Sequence, residues 1–184
     1  MRKNFGVKSW VYPQPVLMIG TYDEAGKADV MNAAWGGQYE ANQVMLCLGE
    51  HQTTKNLRAK KAFTLSFADV SHMVACDYVG IVSATDTPDK MDKAGFHTSK
   101  AEFVDAPIID ELPLTLECKL VKFNEDGNVI GEIVNISADE SILDTEGNID
   151  TGKLDAIIFD PIQAAYRKVG DKVGAAFHDG KRLK

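Results

Sequence analysis

The chain has 184 residues, 45% hydrophobic and 26% charged, which is the composition of an ordinary globular protein and favours one domain over residues 1–184. Its formal net charge of −7 and pI near 5.1 argue against a nucleic-acid binder, which would carry a clustered basic face. No apolar run approaches the roughly 18 residues of a membrane-spanning helix, and none follows Arg2 and Lys3 as in an export signal.

The first part of the chain contains short apolar runs separated by turn residues, which predict strands. The predicted strands cover 15–22, 27–35, 44–48 and 62–68, and the predicted helices cover 53–61 and 71–82. Thr53 and Ser71 are the expected N-caps of the two helices. The second helix has apolar residues at helical spacing, which predicts a buried face formed by Val74, Tyr78 and Ile81.

The second part of the chain begins with a polar stretch at 86–100, which predicts an exposed excursion holding a short helix. Strands are predicted at 114–123, 129–137 and 157–159, followed by a short segment around Tyr166. Asp126-Gly127 between two alternating arms is a strong hairpin signal. Consecutive antiparallel hairpins with few helices predict a mainly β fold and favour a closed barrel over a doubly wound sheet.

Two segments have the pattern of a ligand site. Asn32-Ala33-Ala34-Trp35-Gly36-Gly37 is a strand end of small residues that let a flat ligand lie against the backbone. His51-Gln52-Thr53-Thr54-Lys55-Asn56 opens a helix with hydroxyl groups, a setting that suits a phosphate. Together they predict a site for a mononucleotide such as FMN. Each has a structural alternative: Trp35 as a core or interface residue, Asn32 as the partner of a buried backbone group, and the threonines as caps.

Other chemistries find no support among the motifs. The three cysteines are widely spaced without a Cys-x-x-Cys pair, which favours reduced thiols and a cytoplasmic protein. His72, His97 and His178 lack metal-ligand spacing, so we predict no metal. The motifs of serine hydrolases, zinc proteases, P-loop proteins and Rossmann domains do not occur, which leaves those functions unsupported.

The order of motifs along the chain resembles the flavin reductase-like and flavoredoxin family. The resemblance rests on PQPVLMIGTYDEAGKADVMNAAWGG, HQTTKNL, AFTLSFA, PDKMDKAGF, DGNVIGEIVNIS and YRKVG, and it covers about residues 13–180. It implies an FMN-binding split β-barrel of antiparallel Greek-key type. It also implies a homodimer with its flavin sites near the subunit interface.

The resemblance further implies which residues contact the cofactor. The strand end at 32–35 would run beside the isoalloxazine, the turn at 53–56 would bind the ribityl phosphate, and Tyr166 would approach the ring. Lys90, rather than Lys93, would pair with the phosphate, although a lysine within an acidic run could equally be a solvated surface residue. The expected cofactor contacts are Asn32, Ala33, Ala34, Trp35, Leu48, Gly49, Glu50, Thr53, Thr54, Asn56, Ser83, Lys90 and Tyr166. No side chain is expected to act as a catalytic acid or base.

The sequence departs from the family pattern at two places. Val79-Gly80-Ile81-Val82-Ser83-Ala84 stands where members often have Cys-Gly-Ile-x-Ser-Gly, and the turn Gly127-Asn128 lacks a histidine found in many members. From the resemblance as a whole, we predict an FMN-dependent oxidoreductase that passes electrons from NADH, NADPH or a redox partner through the flavin. The alternatives are an electron-transfer protein reduced only by a protein partner, and a barrel that has lost its flavin.

Overall fold

The computed structural model describes residues 1–184 and is built mainly of short strands. The strands are β1 (Gln14–Pro15), β2 (Leu17–Tyr22), β3 (Ala28–Ala33), β4 (Gly36–Glu40), β5 (Gln43–Leu46), β6 (Ala62–Phe67), β7 (Thr98–Lys100), β8 (Pro107–Ile109), β9 (Leu114–Phe123), β10 (Val129–Ala138), β11 (Ile157–Asp160) and β12 (Ala165–Lys168). The helices are α1 (Gln52–Lys60), α2 (Met73–Ile81) and α3 (Lys90–Ala94), with 3-10 turns at Glu140–Ile142 and Asp179–Leu183. None of the helices is long and apolar enough to cross a membrane.

Seven strands form one antiparallel sheet in the order β3-β2-β6-β9-β10-β5-β4. Its two longest strands, β9 and β10, pair with register shifts between Ile130 and Gly131 and between Ile133 and Asn135, and such irregularities bend a sheet. A three-stranded sheet, β1-β11-β12, and the pair β7-β8 complete the β structure. The predicted mainly β, antiparallel architecture is confirmed.

Strand β2 is buried on both faces because it lies between two apolar cores. Leu17 and Ile19 belong to the core enclosed by the large sheet, which includes Phe63. Val16 and Met18 belong to a second core, which includes residues of α2 and β11. Successive side chains of a strand point to opposite faces, so an unbroken apolar run supplies both cores at once.

One glycine of β10 is required by the packing of the first core. A Cβ atom at Gly131 would collide with the ring of Phe63, which is fully buried. A core at crystal-like density cannot absorb such an added methyl group without moving its neighbours. Gly131 thus lets the aromatic ring lie directly against the backbone of β10.

The predicted elements are present, with shifted boundaries. The strand expected at 44–48 ends at Leu46, which leaves Cys47 outside it, and the excursion holds α3 as expected. The sequence interpretation omitted β4, β7 and β8. Strand β4 is edge-located, glycine-containing and mostly exposed, and β7 and β8 have three residues each, so none shows a clear alternation.

Helix α2 differs from its prediction at its start and in its buried face. His72, not Ser71, is the N-cap. Val74 and Ile81, expected in the core, are both 74% exposed. The fully buried residues of α2 are Cys76 and Val79. Helix α2 carries apolar residues on all of its faces, so their spacing could not indicate which face packs against the second core.

Candidate functional site

A groove runs between β3, the start of α1, the end of α2 and α3. It consists of three adjoining cavities of about 320, 230 and 240 Å³. The first and second cavities share Asp29, Gln52, Ala84 and Lys90, and the second and third share Gly80 and Ile81. We refer to the first two cavities as the lysine end of the groove and to the third as the tyrosine end.

The lysine end contains a buried ion pair. Lys90 Nζ lies 2.7 Å from Asp29 Oδ1, and the two side chains are only 5% and 6% exposed. Thr53 Oγ1 donates to Asp29 Oδ2 at 3.4 Å, which ties the pair to the first turn of α1. An ammonium group has three N–H donors, and Asp29 is its one ion-pair partner. Because its side chain is buried, Lys90 is not a solvated lysine, and its remaining N–H donors can bind a ligand.

Helix α1 begins at the wall of this end. The Thr54 hydroxyl accepts a hydrogen bond from the His51 N–H and donates to the His51 carbonyl, both at 2.9 Å. His51 is consequently the N-cap, and the predicted N-cap role of Thr53 is wrong. Thr53 lies within the first turn of α1, and its buried side chain contacts Asp29.

Asn56 is buried one turn further along α1. Its Nδ2 donates to Thr21 Oγ1 at 3.0 Å, and its Oδ1 accepts from Gln52 Nε2 at 2.9 Å. These two bonds fix Asn56 against β2 and hold Gln52 at the groove wall. Both side chains line the first cavity.

The tyrosine end is formed where α2, β3 and β12 meet. The Tyr166 hydroxyl donates to Asp77 Oδ1 at 2.7 Å, and the Phe159 ring lies tilted against Tyr166 with 6.2 Å between centroids. Burial, reinforced by the Asp77 carboxylate, raises the pKa of Tyr166 to about 12. Asn32 Nδ2 donates to the Cys76 carbonyl at 3.0 Å, so this amide joins β3 to α2.

At the end of β3, alternation separates the residues that line the tyrosine end from the residue that faces the first core. Asn32 and Ala34 line the tyrosine end, whereas Ala33 lies in the first core. Ser83, just beyond α2, lines the lysine end, and its Oγ accepts from the Thr85 N–H at 3.2 Å.

Six predicted contacts line none of the three cavities: Ala33, Thr54, Trp35, Leu48, Gly49 and Glu50. Trp35 is 55% exposed beyond the end of β3, and Leu48 packs against the first core. Gly49 and Glu50 are exposed, and the Glu50 carboxylate accepts from the Arg58 guanidinium at 2.6 and 2.8 Å, which lowers the pKa of Glu50. A cofactor role for these six residues, as for the seven predicted contacts that line the cavities, stays a prediction.

The groove also contains residues that the sequence interpretation missed, namely Asp29, Gln52, Asp77 and Gly80. Asp29 could have been noticed as the one acidic residue in the strand ADVMNA. Gly80 lacks a side chain where a Cβ would come within 2.8 Å of Asn32 Cβ, which permits close contact between α2 and β3. Asp77 gives no local signal, because its partner Tyr166 is 89 positions away.

The two ends offer different chemistry. A buried ammonium and the first turn of a helix suit an anionic group at the lysine end. Apolar and aromatic walls with an amide, a phenol and a carboxylate suit the edge of a flat polar ring at the tyrosine end. No group of three or more histidine, cysteine or acidic side chains is placed to hold a metal ion.

The chain is similar to proteins of known structure. Residues 9–154 match the family described as flavin reductase like domain. Flavoredoxin of Desulfovibrio vulgaris (Miyazaki F) is 33% identical, with a TM-score of 0.93 over 98% of this chain and 100% of that one. Flavoredoxin from Methanosarcina acetivorans is 29% identical, with a TM-score of 0.86 over the full length of both chains. An FMN-binding domain of a flavin reductases-like enzyme from Shewanella baltica OS155 is 19% identical, with a TM-score of 0.76 over 88% of this chain and 89% of that one, and shares the fold. No curated protein matches the chain.

Proposed function

The chain belongs to the flavin reductase-like family and has its split-barrel fold, and on this premise we propose that it is an FMN-binding oxidoreductase. The observation that carries the proposal is the groove with a buried lysine at one end and a tyrosine at the other. A cationic group at one end and an aromatic group at the other are complementary to the phosphate and the flat ring of a mononucleotide. The flavoredoxin neighbours and the FMN-binding neighbour support the choice of flavin.

The lysine end would hold the phosphate. Lys90 contributes a buried positive charge, and the first turn of α1 contributes backbone N–H groups with partial positive charge. Thr53 and Asn56 line or support the same wall, so they would orient the phosphate and the ribityl chain. Burial matters here because the ammonium interacts more strongly with an anion when water is displaced.

The tyrosine end would hold the flat ring. Asn32, in β3, and Ala34, just beyond its end, present one polar and one small side chain, and Tyr166 and Phe159 form an aromatic wall. The redox chemistry of such a site belongs to the flavin, while the protein provides binding, orientation and electrostatics. We propose NADH or NADPH as the electron donor, stacking on the exposed side of the ring.

A second candidate is an electron carrier that is reduced by a protein partner and does not bind a nicotinamide. The formal net charge of −7 favours it, because an acidic surface suits docking to a basic protein. Rapid mixing of the flavin-loaded protein with NADH and with NADPH distinguishes the two functions. Fast bleaching of the flavin absorbance supports the reductase, and its absence with both nucleotides supports the carrier.

We also propose that the protein is a homodimer. Residues 1–13 are exposed throughout, and large apolar side chains lie exposed at both ends of the chain, including Phe5, Trp10, Val173 and Phe177. Contiguous exposed apolar surface is typical of a protein interface, and these two segments are our candidates for it. A cytoplasmic location agrees with three cysteines that form no disulfide.

The binding test compares FMN with riboflavin, which lacks only the phosphate. We expect one FMN per chain and tighter binding of FMN than of riboflavin, because the lysine end interacts with the phosphate alone. Flavin fluorescence quenching gives both dissociation constants. Equal constants would contradict the assignment of the phosphate to the lysine end, and no binding of either flavin would contradict the proposed function.

A further inference from the structure

We propose that Asp77 is a positioning residue of the groove, which fixes Tyr166 and places a negative charge that makes a ring bound at the tyrosine end harder to reduce. The proposal rests on the proposed function, since it takes the tyrosine end as the ring site. It adds a residue to that site and assigns it a measurable effect on the potential of the flavin.

The geometry makes Asp77 a link between α2 and β12. Asp77 lies on α2, and its Oδ1 accepts the Tyr166 hydroxyl proton from β12 at 2.7 Å. The adjacent Cys76 carbonyl accepts from Asn32 Nδ2 of β3 at 3.0 Å. One turn of α2 therefore sets both polar walls of the cavity, the amide from one sheet and the phenol from the other.

Tyr166 depends on this contact because Asp77 is the acceptor for its hydroxyl, while the Asn32 amide lies at the same polar end. The Phe159 ring packs against its ring, and the half-buried hydroxyl has Asp77 as its acceptor. A hydrogen bond from a neutral donor to a carboxylate is stronger than one between neutral groups. Tyr166 is accordingly held in one orientation, with its phenol as a wall of the cavity rather than a mobile cover.

Asp77 is itself one of the residues that line the cavity. Adding electrons to a flavin raises the negative charge of the ring, and a fixed negative charge nearby opposes that change. The tyrosine end therefore favours the oxidised ring and lowers the midpoint potential.

The test uses the full-length FMN-loaded protein and three single variants. Asp77→Asn removes the charge but keeps an oxygen that can accept the Tyr166 hydrogen bond. Tyr166→Phe removes the hydroxyl and keeps the charge. Asp126→Asn, in the exposed turn between β9 and β10, removes one acidic charge from a residue that lines none of the three cavities and serves as the matched control.

We expect Asp77→Asn to raise the midpoint potential, with about a tenfold larger equilibrium constant for two-electron reduction, which corresponds to about 30 mV. Tyr166→Phe and Asp126→Asn should not raise it. An Asp77→Asn variant that binds FMN with the same potential as the Asp126→Asn control would overturn the proposal. If the unsubstituted protein binds no flavin, the proposed function itself fails, and this inference fails with it.

A second measurement does not depend on the flavin. In the flavin-free protein, the tyrosinate absorbance of the unsubstituted chain minus that of Tyr166→Phe isolates the ionisation of Tyr166, with circular dichroism checking that the fold persists. The pKa of Tyr166 is raised to about 12 by burial and then by Asp77. We expect the ionisation to move to lower pH in Asp77→Asn. An unchanged ionisation would overturn the positioning role even if the potential shifts.

Discussion

Replacing Lys90 is the sharpest test of the groove, because this lysine combines a binding role with a buried ion pair. In Lys90→Met the aliphatic stem is retained and the charge is lost. A charge-assisted hydrogen bond contributes about 1.5–3 kcal/mol, so FMN should bind roughly 10- to 150-fold more weakly. Riboflavin has no phosphate, and its dissociation constant should stay nearly unchanged.

The same substitution should also destabilise the fold. Lys90→Met leaves the buried Asp29 carboxylate without its ion-pair partner, and removing one member of a buried pair costs about 3–5 kcal/mol. The double variant Lys90→Met/Asp29→Asn removes the unpaired charge and should recover most of that loss. It should still lack the preference for FMN, since the positive charge is absent. Urea unfolding measures the stability of each variant.

The ratio of the riboflavin and FMN dissociation constants separates phosphate binding from a general loss of structure. Lys93→Ala is the matched control, because Lys93 is 54% exposed and pairs with Asp89 on the surface. It should change neither the ratio nor the stability. A folded Lys90→Met variant with an unchanged ratio would refute the reasoning. Sensitivity at Lys93 with none at Lys90 would show that the wrong lysine of α3 had been chosen.

Three further outcomes are expected. Gly131→Ala should lose about 1–3 kcal/mol of unfolding free energy in urea, because its methyl group collides with Phe63, while Gly37→Ala, which has open space around it, should change little. Burial raises the pKa of the Cys76 and Cys118 thiols to about 12, so a thiol reagent near neutral pH should modify these two cysteines only after unfolding. Modification of Cys76 or Cys118 in the folded protein would contradict this expectation, whereas modification of the half-buried Cys47 would not. Light scattering should give twice the chain mass of 20.1 kDa at micromolar concentration, and a monomer mass would refute the homodimer.

Sequence pattern alone was sufficient for six of the seven strands of the large sheet, with the edge strand β4 as the exception. The arms 114–123 and 129–137 alternate with period two around Asp126-Gly127, and the observed β9 and β10 follow them almost residue for residue. Such signals are local, since a turn and its adjoining strands are neighbours in the chain. The family resemblance added the split barrel, which no single hairpin specifies.

The sequence located parts of the groove but could not assemble it. The helix start at residues 51–56 was recognised from its hydroxyl groups, yet the partner that buries Thr53 is Asp29, from the preceding hairpin. Similarly, the sequence allowed Lys90 to be either a phosphate ligand or a solvated surface residue, and the structure places it in a buried ion pair with Asp29. The burial of Lys90 depends on how α3 packs onto β3, and no local sequence pattern encodes the distance between these two elements.

The sequence by itself thus determined the strand pattern, the composition and charge, and the segments able to face a ligand. Only the tertiary structure decided which side chains face the groove. In the structure Ala33 lies in the first core, Val74 and Ile81 of α2 are exposed, and Asp77 accepts a hydrogen bond from Tyr166. The physical reason is that periodicity is a property of one segment. Contacts between distant segments depend on strand register and on the orientation in which each helix packs, which follow from the energy of the whole fold.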